Sequence, residues 1–408
     1  MSRHTARILA IGDELLLGRT VDTNSAFLAR WCADRGLTVT GVQILGDDEA
    51  TLVAAIKAAA SASDLVLVTG GLGPTEDDRT RHALAGAMGA KLEASARAWN
   101  QIERYWGKLR PGPVPVSNKR QALMPVGARV LKNDRGTAPG MLGQVQGAWI
   151  ACMPGVPHEM FAMAERLSTQ LPRLIPGLRV PEVGEVHFAG LGESSAQDQL
   201  GALLSPGPVQ VGITAHELGH ITVRVVGSAT AVRKRCAAVR NILKPYLLPE
   251  AGLAPSLVAV LTKRGQTITS AESCTCGAIA GMLGAVPGCS AVLQEALVAY
   301  HNEVKAGYLG VSAVDLKRHG AVSEQVVAQM ARGALARSGA SLALATSGIA
   351  GPDGGTRAKP VGTVWMAAAL GSRVVTRHSH IRGDRSRVQQ RAAASALLLG
   401  WQLLTGAV

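Results

Sequence analysis

Residues 64–78 read DLVLVTGGLGPTEDD, and the reading of this stretch decides the fold of the first part of the chain. A short apolar run with β-branched residues passes directly into glycines, as a buried parallel strand does when its carboxyl end delivers a loop. Two similar runs precede it, RILAIG at 7–12 and TVTGVQIL at 38–45, and both read as buried parallel strands. Between them NSAFLARWCADRG and DEATLVAAIKAAASAS carry apolar residues at helical spacing, the first ending on Gly36 as a helix C-cap does. The resulting β-α-β-α-β order predicts a doubly wound α/β sheet with ligands held at the carboxyl ends of its strands.

The loop at those ends, Thr69, Gly70, Gly71, Gly73 and Thr75, lets a ligand approach the backbone closely, and a helix starting near Asp78 offers its amides to a phosphate. Asp77 and Asp78 could hold a divalent cation bridging phosphate oxygens. Equally, either carboxylate could simply cap the following helix, with no ligand involved.

The chain has 408 residues, 47% hydrophobic and 17% charged, which predicts two or three folded domains without long disorder. No run approaches the roughly 18 apolar residues of a membrane span. The N-terminal residues lack a signal-peptide core, so a cytoplasmic protein is expected. Six scattered cysteines are expected to be reduced thiols. A formal charge of +13 comes from Lys and Arg spread along the chain, and only 3% of residues are aromatic, so neither a basic tract nor a stacking platform for nucleic acid is visible. Anionic, phosphate-bearing small molecules account for the charge as well.

The organisation expected is a first domain at 1–171, a small α+β module at 172–250 and a third, α/β domain at 251–408. Strand-like VQVGITA and HITVRVVG and the helical TAVRKRCAAVRNILKPYL mark the middle module. Its residues 216–220 read HELGH, the zinc-protease pattern letter for letter. That chemistry needs a helix to bring the two histidines onto one face, and the β-branched flanks with Gly219 between them predict a hairpin instead.

In the third region SAESCTCG, 270–277, lies at a strand-to-helix turn. Three readings of it stand side by side. Ser273 could be a nucleophile at a helix start, with backbone amides stabilising an oxyanion. Cys274 or Cys276 could be a thiolate nucleophile. Or Ser273 or Thr275 caps the helix and the cysteines merely pack. A serine nucleophile needs a base, and VAYHNEVK offers Tyr300 and Lys305, the lysine having to be neutral and hence buried or beside positive charge. The glycine-rich TSGIAGPDGGT at 346–356 supplies amides for an oxyanion or phosphate. A zinc site from Cys274, Cys276, Cys289 and His301 is disfavoured by its C-x-C spacing.

Seven stretches of this region, AESCT, VPGCSAV, VAYHNEVK, HGAVSE, SGIAGPDGGT, KPVGTVW and GDRSRVQQRA, resemble in order the C-terminal domain of the CinA family, which also exists alone as nicotinamide mononucleotide deamidase. GDELLLGRTVDTNSAFLARW, TGGLGPTEDD, NKRQALMP, NDRGTAPGM and MPGVPHEM resemble the molybdopterin-binding-like domain that opens the same proteins, and GLGES at 190–194 is similar to their middle module. The resemblance implies two hydrolases. One turns nicotinamide mononucleotide and water into nicotinic acid mononucleotide and ammonia, with Ser273 as nucleophile, Lys305 as general base and Tyr300 orienting it. Thr275, Gly277, Ser347, Gly348 and Gly351 would line its substrate, with Arg385 or Arg391 on the phosphate. The other splits ADP-ribose into AMP and ribose 5-phosphate in the N-terminal domain, with Mg, Mn or Co at Asp77 and Asp78. No cofactor is implied for the deamidase. The resemblance also implies a homodimer or higher oligomer. From a different class it suggests an accessory protein that binds recombination partners, or an N-terminal domain that binds a pterin.

Two departures from the family pattern stand out. Cys276 replaces the first glycine of SCTGG, and Gln294, Glu295 and Ala296 stand where glycine is usual beside the strand. Glu295 would oppose a phosphate if it pointed into the site.

Overall fold

The structure, a computed structural model, describes residues 4–109, 111–205 and 207–408; residues 1–3, part of the stretch read for a leader, lie outside the described residues. It divides into two compact units, Met1–Glu182 and Val183–Val408. No helix among the described residues is long and apolar enough to cross a membrane.

The first unit is built on a six-stranded sheet in the order Thr38–Leu45, Thr5–Ile11, Leu65–Thr69, Ala148–Met153, Gly140–Val145, Arg129–Leu131. The first four strands are parallel and the last two antiparallel, so the sheet is mixed. Leu65–Thr69 is buried throughout. Its alternating side chains serve two cores: Leu65 and Leu67 meet helices Thr23–Asp34 and Pro157–Ser168, while Val66 and Val68 meet helices Glu49–Ala60 and Thr80–Met88. Helices on both faces make the arrangement doubly wound. Thr38–Leu45 corrects one expectation. It is a strand, but it lies at the sheet edge and most of it is half-buried or exposed, because an edge strand has a neighbour on one side only.

The second unit contains two sheets. In the four-stranded one, Val209–Ala215 and His220–Gly227 form an antiparallel hairpin, and Glu182–Ala189 pairs with Leu247–Leu248. The five-stranded one runs Leu293–Val298, Ile268–Glu272, Leu342–Gly348, Thr363–Leu370, Arg373–His380, the first three parallel and the rest antiparallel. Again the middle strands alternate. Leu342 and Leu344 pack with helices Leu253–Arg264 and Arg385–Thr405, and Ala343 and Ala345 with helix Glu324–Ser338. Gly333 in that last helix lets helix Asn302–Leu309 bear directly on it, since a Cβ there would stand 1.9 Å from the Leu309 carbonyl oxygen. This contact fixes the helix that carries Lys305.

Candidate functional site

Strand Ile268–Glu272 is buried along its whole length and ends on a carboxylate. Glu272, 1% exposed, caps the following helix Ala278–Gly284: Oε2 accepts from Gly277 N at 3.0 Å and Ile279 N at 3.1 Å, and Oε1 from Ala280 N at 2.9 Å. Ser270 Oγ adds a bond at 3.2 Å and Thr275 Oγ1 one at 2.7 Å. A buried charge accepting from five donors replaces the water it has lost. Neither Ser273 nor Thr275 is the cap. Sequence reading passed over Glu272 because capping is looked for in the residue beside the helix, whereas here the chain loops back from the strand end.

With the capping done by Glu272, the Ser273 side chain is free of that duty. Ser273 is half-buried, its backbone N–H donates to Thr346 O at 3.0 Å, and its hydroxyl has no hydrogen bond among the described residues. Thr275 is buried, its hydroxyl held between Glu272 and Thr346 Oγ1 at 2.7 Å, and the Gly277 amide is spent on Glu272. The Thr275 hydroxyl and the Gly277 amide are thus both engaged in building the turn. Cys274 is 4% exposed and burial pushes its thiol up to about 12, which removes it as a thiolate nucleophile at neutral pH. Cys276 is exposed and has φ 51°, the left-handed region that favours glycine.

Lys305 is 1% exposed on helix Asn302–Leu309, and its ammonium donates to the Tyr300 carbonyl at 2.7 Å. Burial holds its pKa below the ordinary lysine value, partly countered by Cys274, whose own titration Lys305 affects in turn. The lysine thus sits within electrostatic range of the residue beside Ser273. Tyr300 meets Lys305 through its backbone only. Its hydroxyl instead accepts from Arg385 at 3.0 Å, and that guanidinium also donates to Gly351 O at 2.8 Å. The Tyr300 hydrogen bond raises the Arg385 pKa, and Cys276 and Cys274 act on it electrostatically. Ser273, Lys305, Tyr300, Gly351 and Arg385 are accordingly gathered round one turn.

Four residues behave otherwise. Ser347 is buried with its hydroxyl donating to Ala321 O at 2.7 Å, and a Cβ on Gly348 would press on Thr363 O at 2.8 Å, so both serve packing. Arg391 lines a different cavity, six residues further along helix Arg385–Thr405 and so on another of its faces. Glu295 is drawn off by Arg337, Nε to Oε1 2.8 Å, on the edge strand. It does not oppose an anion at the turn.

In the first unit the loop after Leu65–Thr69 is held from within. A Cβ at Gly70 would stand 2.1 Å from Ile11 O, and one at Gly71 2.2 Å from Thr80 Oγ1, so both positions need glycine. Asp78 closes the loop on itself, Oδ1 accepting from Gly73 N at 2.6 Å and Oδ2 from Thr75 N at 2.9 Å, with a further bond from the Thr75 hydroxyl. Arg81, which the sequence reading did not single out, is 2% exposed, donates to the carbonyls of Leu72 and Gly73, and is pushed down to about 10 by burial. Asp77 is exposed, and a hydrogen bond from Thr75 is the largest cause holding its carboxyl below the usual range; it also acts on Asp47, whose pKa is raised first by desolvation and further by Asp13, Asp77 and Glu14 against a lowering backbone hydrogen bond from Asp13. No group of three or more His, Cys, Asp or Glu among the described residues is arranged to hold a metal. With Asp78 engaged in its own loop, the Asp77–Asp78 pair does not present two free carboxylates to a cation. At the strand ends a cavity of about 100 Å³ is lined by Glu14, Asp22, Asn24, Thr69 and Gly155. Asn24 there donates to Thr69 Oγ1 at 3.0 Å and Gly155 O at 2.8 Å, leaving its buried Oδ1 without a partner.

HELGH forms the turn of the hairpin. His216 and His220 stack with ring centroids 4.1 Å apart, and His216 and His187 both engage Thr222 Oγ1, at 3.1 and 3.0 Å. That is a stacked pair in a β-turn and not a pair of ligands on one helical face.

Residues 250–404 match the family described as CinA C-terminal domain, and residues 7–174 that described as "Probable molybdopterin binding domain". A CinA-like protein of Gemmatimonas aurantiaca is 38% identical over 96% of this chain and 94% of its own length. A CinA-like protein of Synechococcus sp. is 39% identical over 97% of each. Among solved structures, the competence/damage inducible protein CihA of Agrobacterium tumefaciens is 39% identical, covering 38% of this chain and 92% of that one, with a TM-score of 0.36.

Proposed function

This chain belongs to the CinA family, with a molybdopterin-binding-like domain at its N-terminal end and a CinA C-terminal domain after it, and we propose that its C-terminal unit hydrolyses the carboxamide of nicotinamide mononucleotide. The observation that carries this reading is Lys305: a buried lysine of lowered pKa, without a carboxylate partner, beside the turn that bears an unengaged serine hydroxyl. A structural lysine would reach solvent or an ion pair; one kept buried with its pKa lowered is suited to accept a proton.

In the reaction proposed, Ser273 Oγ attacks the carboxamide carbon and its proton passes to neutral Lys305 Nζ. The tetrahedral adduct collapses, the C–N bond breaks, and the ammonium of Lys305 returns the proton to the departing nitrogen, which leaves as ammonia. Water, deprotonated by the same lysine, then attacks the acyl-serine ester and restores the Ser273 hydroxyl, releasing the carboxylate product. Arg385, anchored by Tyr300 and Gly351, supplies a planar donor pair for the substrate phosphate.

For the first unit we propose ADP-ribose as the ligand, with one ribose at the small cavity at the carboxyl ends of the strands, where the unpartnered Asn24 oxygen is an acceptor suited to a hydroxyl, and the rest of the molecule outside that cavity. Incubation of the purified protein with each substrate tests the two readings separately. Equal release of ammonia and nicotinic acid mononucleotide supports the first, and AMP with ribose 5-phosphate supports the second. Failure of both, with binding to recombination proteins intact, would leave the accessory role.

A further inference from the structure

A cavity of about 730 Å³ in the second unit is lined by neither Ser273 nor Lys305. Its walls are the hairpin turn at Glu217 and Gly219, the end of strand Arg373–His380, and one face of helix Arg385–Thr405. Arg387, Arg391, Ala394, Ser395 and Leu398 share that face at helical spacing, whereas Arg385, which holds Tyr300, points from another part of the same first turn.

Arg382, Arg387 and Arg391 all line this cavity, and none of the three guanidiniums makes a hydrogen bond or ion pair among the described residues. Where an arginine of this protein is neutralised, a carboxylate lies within hydrogen-bond distance, as Glu295 does for Arg337 and Glu76 for Arg120. Here a single carboxylate, Glu217, faces three guanidiniums, so the cavity holds an unbalanced positive field that an anion would neutralise. The backbone is shaped for this arrangement. Gly383 has φ 140°, and a Cβ on it would come within 2.6 Å of Arg387 Cδ, so only a bare glycine lets the arginine stem lie flat across the turn and carry its head to the cavity. The lining also includes apolar side chains, Leu253, Ile381, Ala394 and Leu398.

Three planar, bidentate-capable donors and apolar side chains lining one cavity match a molecule with a phosphate and a flat heterocycle. The volume is far larger than inorganic phosphate needs and lies within the range of small-molecule sites. We propose that this cavity is a second ligand site, separate from that at Ser273, for a nucleotide carrying a phosphate or pyrophosphate group, with Glu217 placed to receive a hydroxyl or exocyclic amine.

Hydrogen exchange on the full chain, with and without ADP, tests it, because exchange reports where the nucleotide sits even if the N-terminal unit also binds it. Protection is expected at 379–391 and 216–220, with at least tenfold weaker ADP affinity at those segments in the Arg382→Gln/Arg387→Gln double variant. Both side chains are exposed, so the variant should fold, and Arg382→Lys/Arg387→Lys should retain part of the protection. Adenosine alone and inorganic pyrophosphate alone should each protect these segments less than ADP. Protection confined to the first unit, protection unchanged in the glutamine variant, or pyrophosphate matching ADP would each overturn the proposal, the last by reducing the cavity to a bare anion site.

Discussion

The ammonium of Lys305 donates to the carbonyl oxygen of Tyr300 at 2.7 Å, and that is its only hydrogen bond among the described residues, inside a 1%-exposed setting. Burial without a carboxylate disfavours the charged form. The folded pKa therefore lies below the unfolded value of 10.5, the unfolded chain binds more protons between the two, and stability contributed at this site rises with pH across that interval. Lys305→Met should abolish ammonia release by roughly a hundredfold or more, yet leave neutral-pH stability unchanged or higher and flatten its rise towards pH 10. Urea titrations at several pH values, alongside turnover, read both effects. A variant that is clearly less stable at pH 7 would show that the lysine is structural.

Glu272 is the keystone of the turn. Glu272→Gln presents an amide NH₂ to neighbours that are themselves donors, leaving at least one of Gly277 N, Ile279 N and Ala280 N unpaired in a buried place. A cost of about 2–4 kcal/mol is expected, set by the unsatisfied groups. Ser273→Ala should cost under about 0.5 kcal/mol, as a site away from such features does. Equal losses in the two variants would contradict the assignment of the cap.

Cys276 holds a left-handed conformation at φ 51°. Cys276→Gly should relieve about 1 kcal/mol of that strain, less the greater freedom of glycine in the unfolded chain, about 0.4–1 kcal/mol. The net change in unfolding free energy should thus be small and not destabilising, with ammonia release equal to or above that of the parent. Iodoacetamide at pH 8 should modify Cys276, which is exposed, and spare Cys274, whose thiol is buried and pushed up to about 12. Peptide mapping checks the pair.

His220 is stacked on His216 in the four-stranded sheet and is brought down to about 4 by burial, then by His216 and His187. Its folded pKa lies below the unfolded 6.5, so the stability it confers is present above pH 6.5 and is lost as the pH falls from there through about 4. Far-UV spectra of parent and His220→Gln across pH 7 to 4 should show the variant less sensitive to acid. An identical acid transition in both would contradict this.

Much of this was legible in the chain itself, and the rest was hidden for physical reasons. The buried strand at 65–69 announces itself because parallel strands carry unbroken apolar runs, and HELGH betrays a turn through the β-branched flanks that the hairpin needs. Thr38–Leu45 reads the same way as a central strand, since composition does not reveal which strand lacks a second neighbour. Ser273, Lys305 and Arg385 could be nominated from their stretches, but the loop's own demands could not. Thr275, Gly277 and Asp78 carry the right chemistry for ligands and spend it on backbone and on Glu272. Local sequence does not show that a carboxylate at a strand end reaches forward to the next helix, nor that of Arg385 and Arg391, six residues apart, one binds Tyr300 and Gly351 while the other lines a cavity elsewhere.

The measurement closest to the central claim is ammonia release from nicotinamide mononucleotide by parent and Ser273→Ala protein at saturating substrate. The account predicts turnover by the parent and a loss of roughly a thousandfold or more in the variant, with an acyl adduct trapped on Ser273 of the parent when the reaction is quenched early. Turnover that survives in Ser273→Ala would contradict it, and would move the chemistry to another side chain.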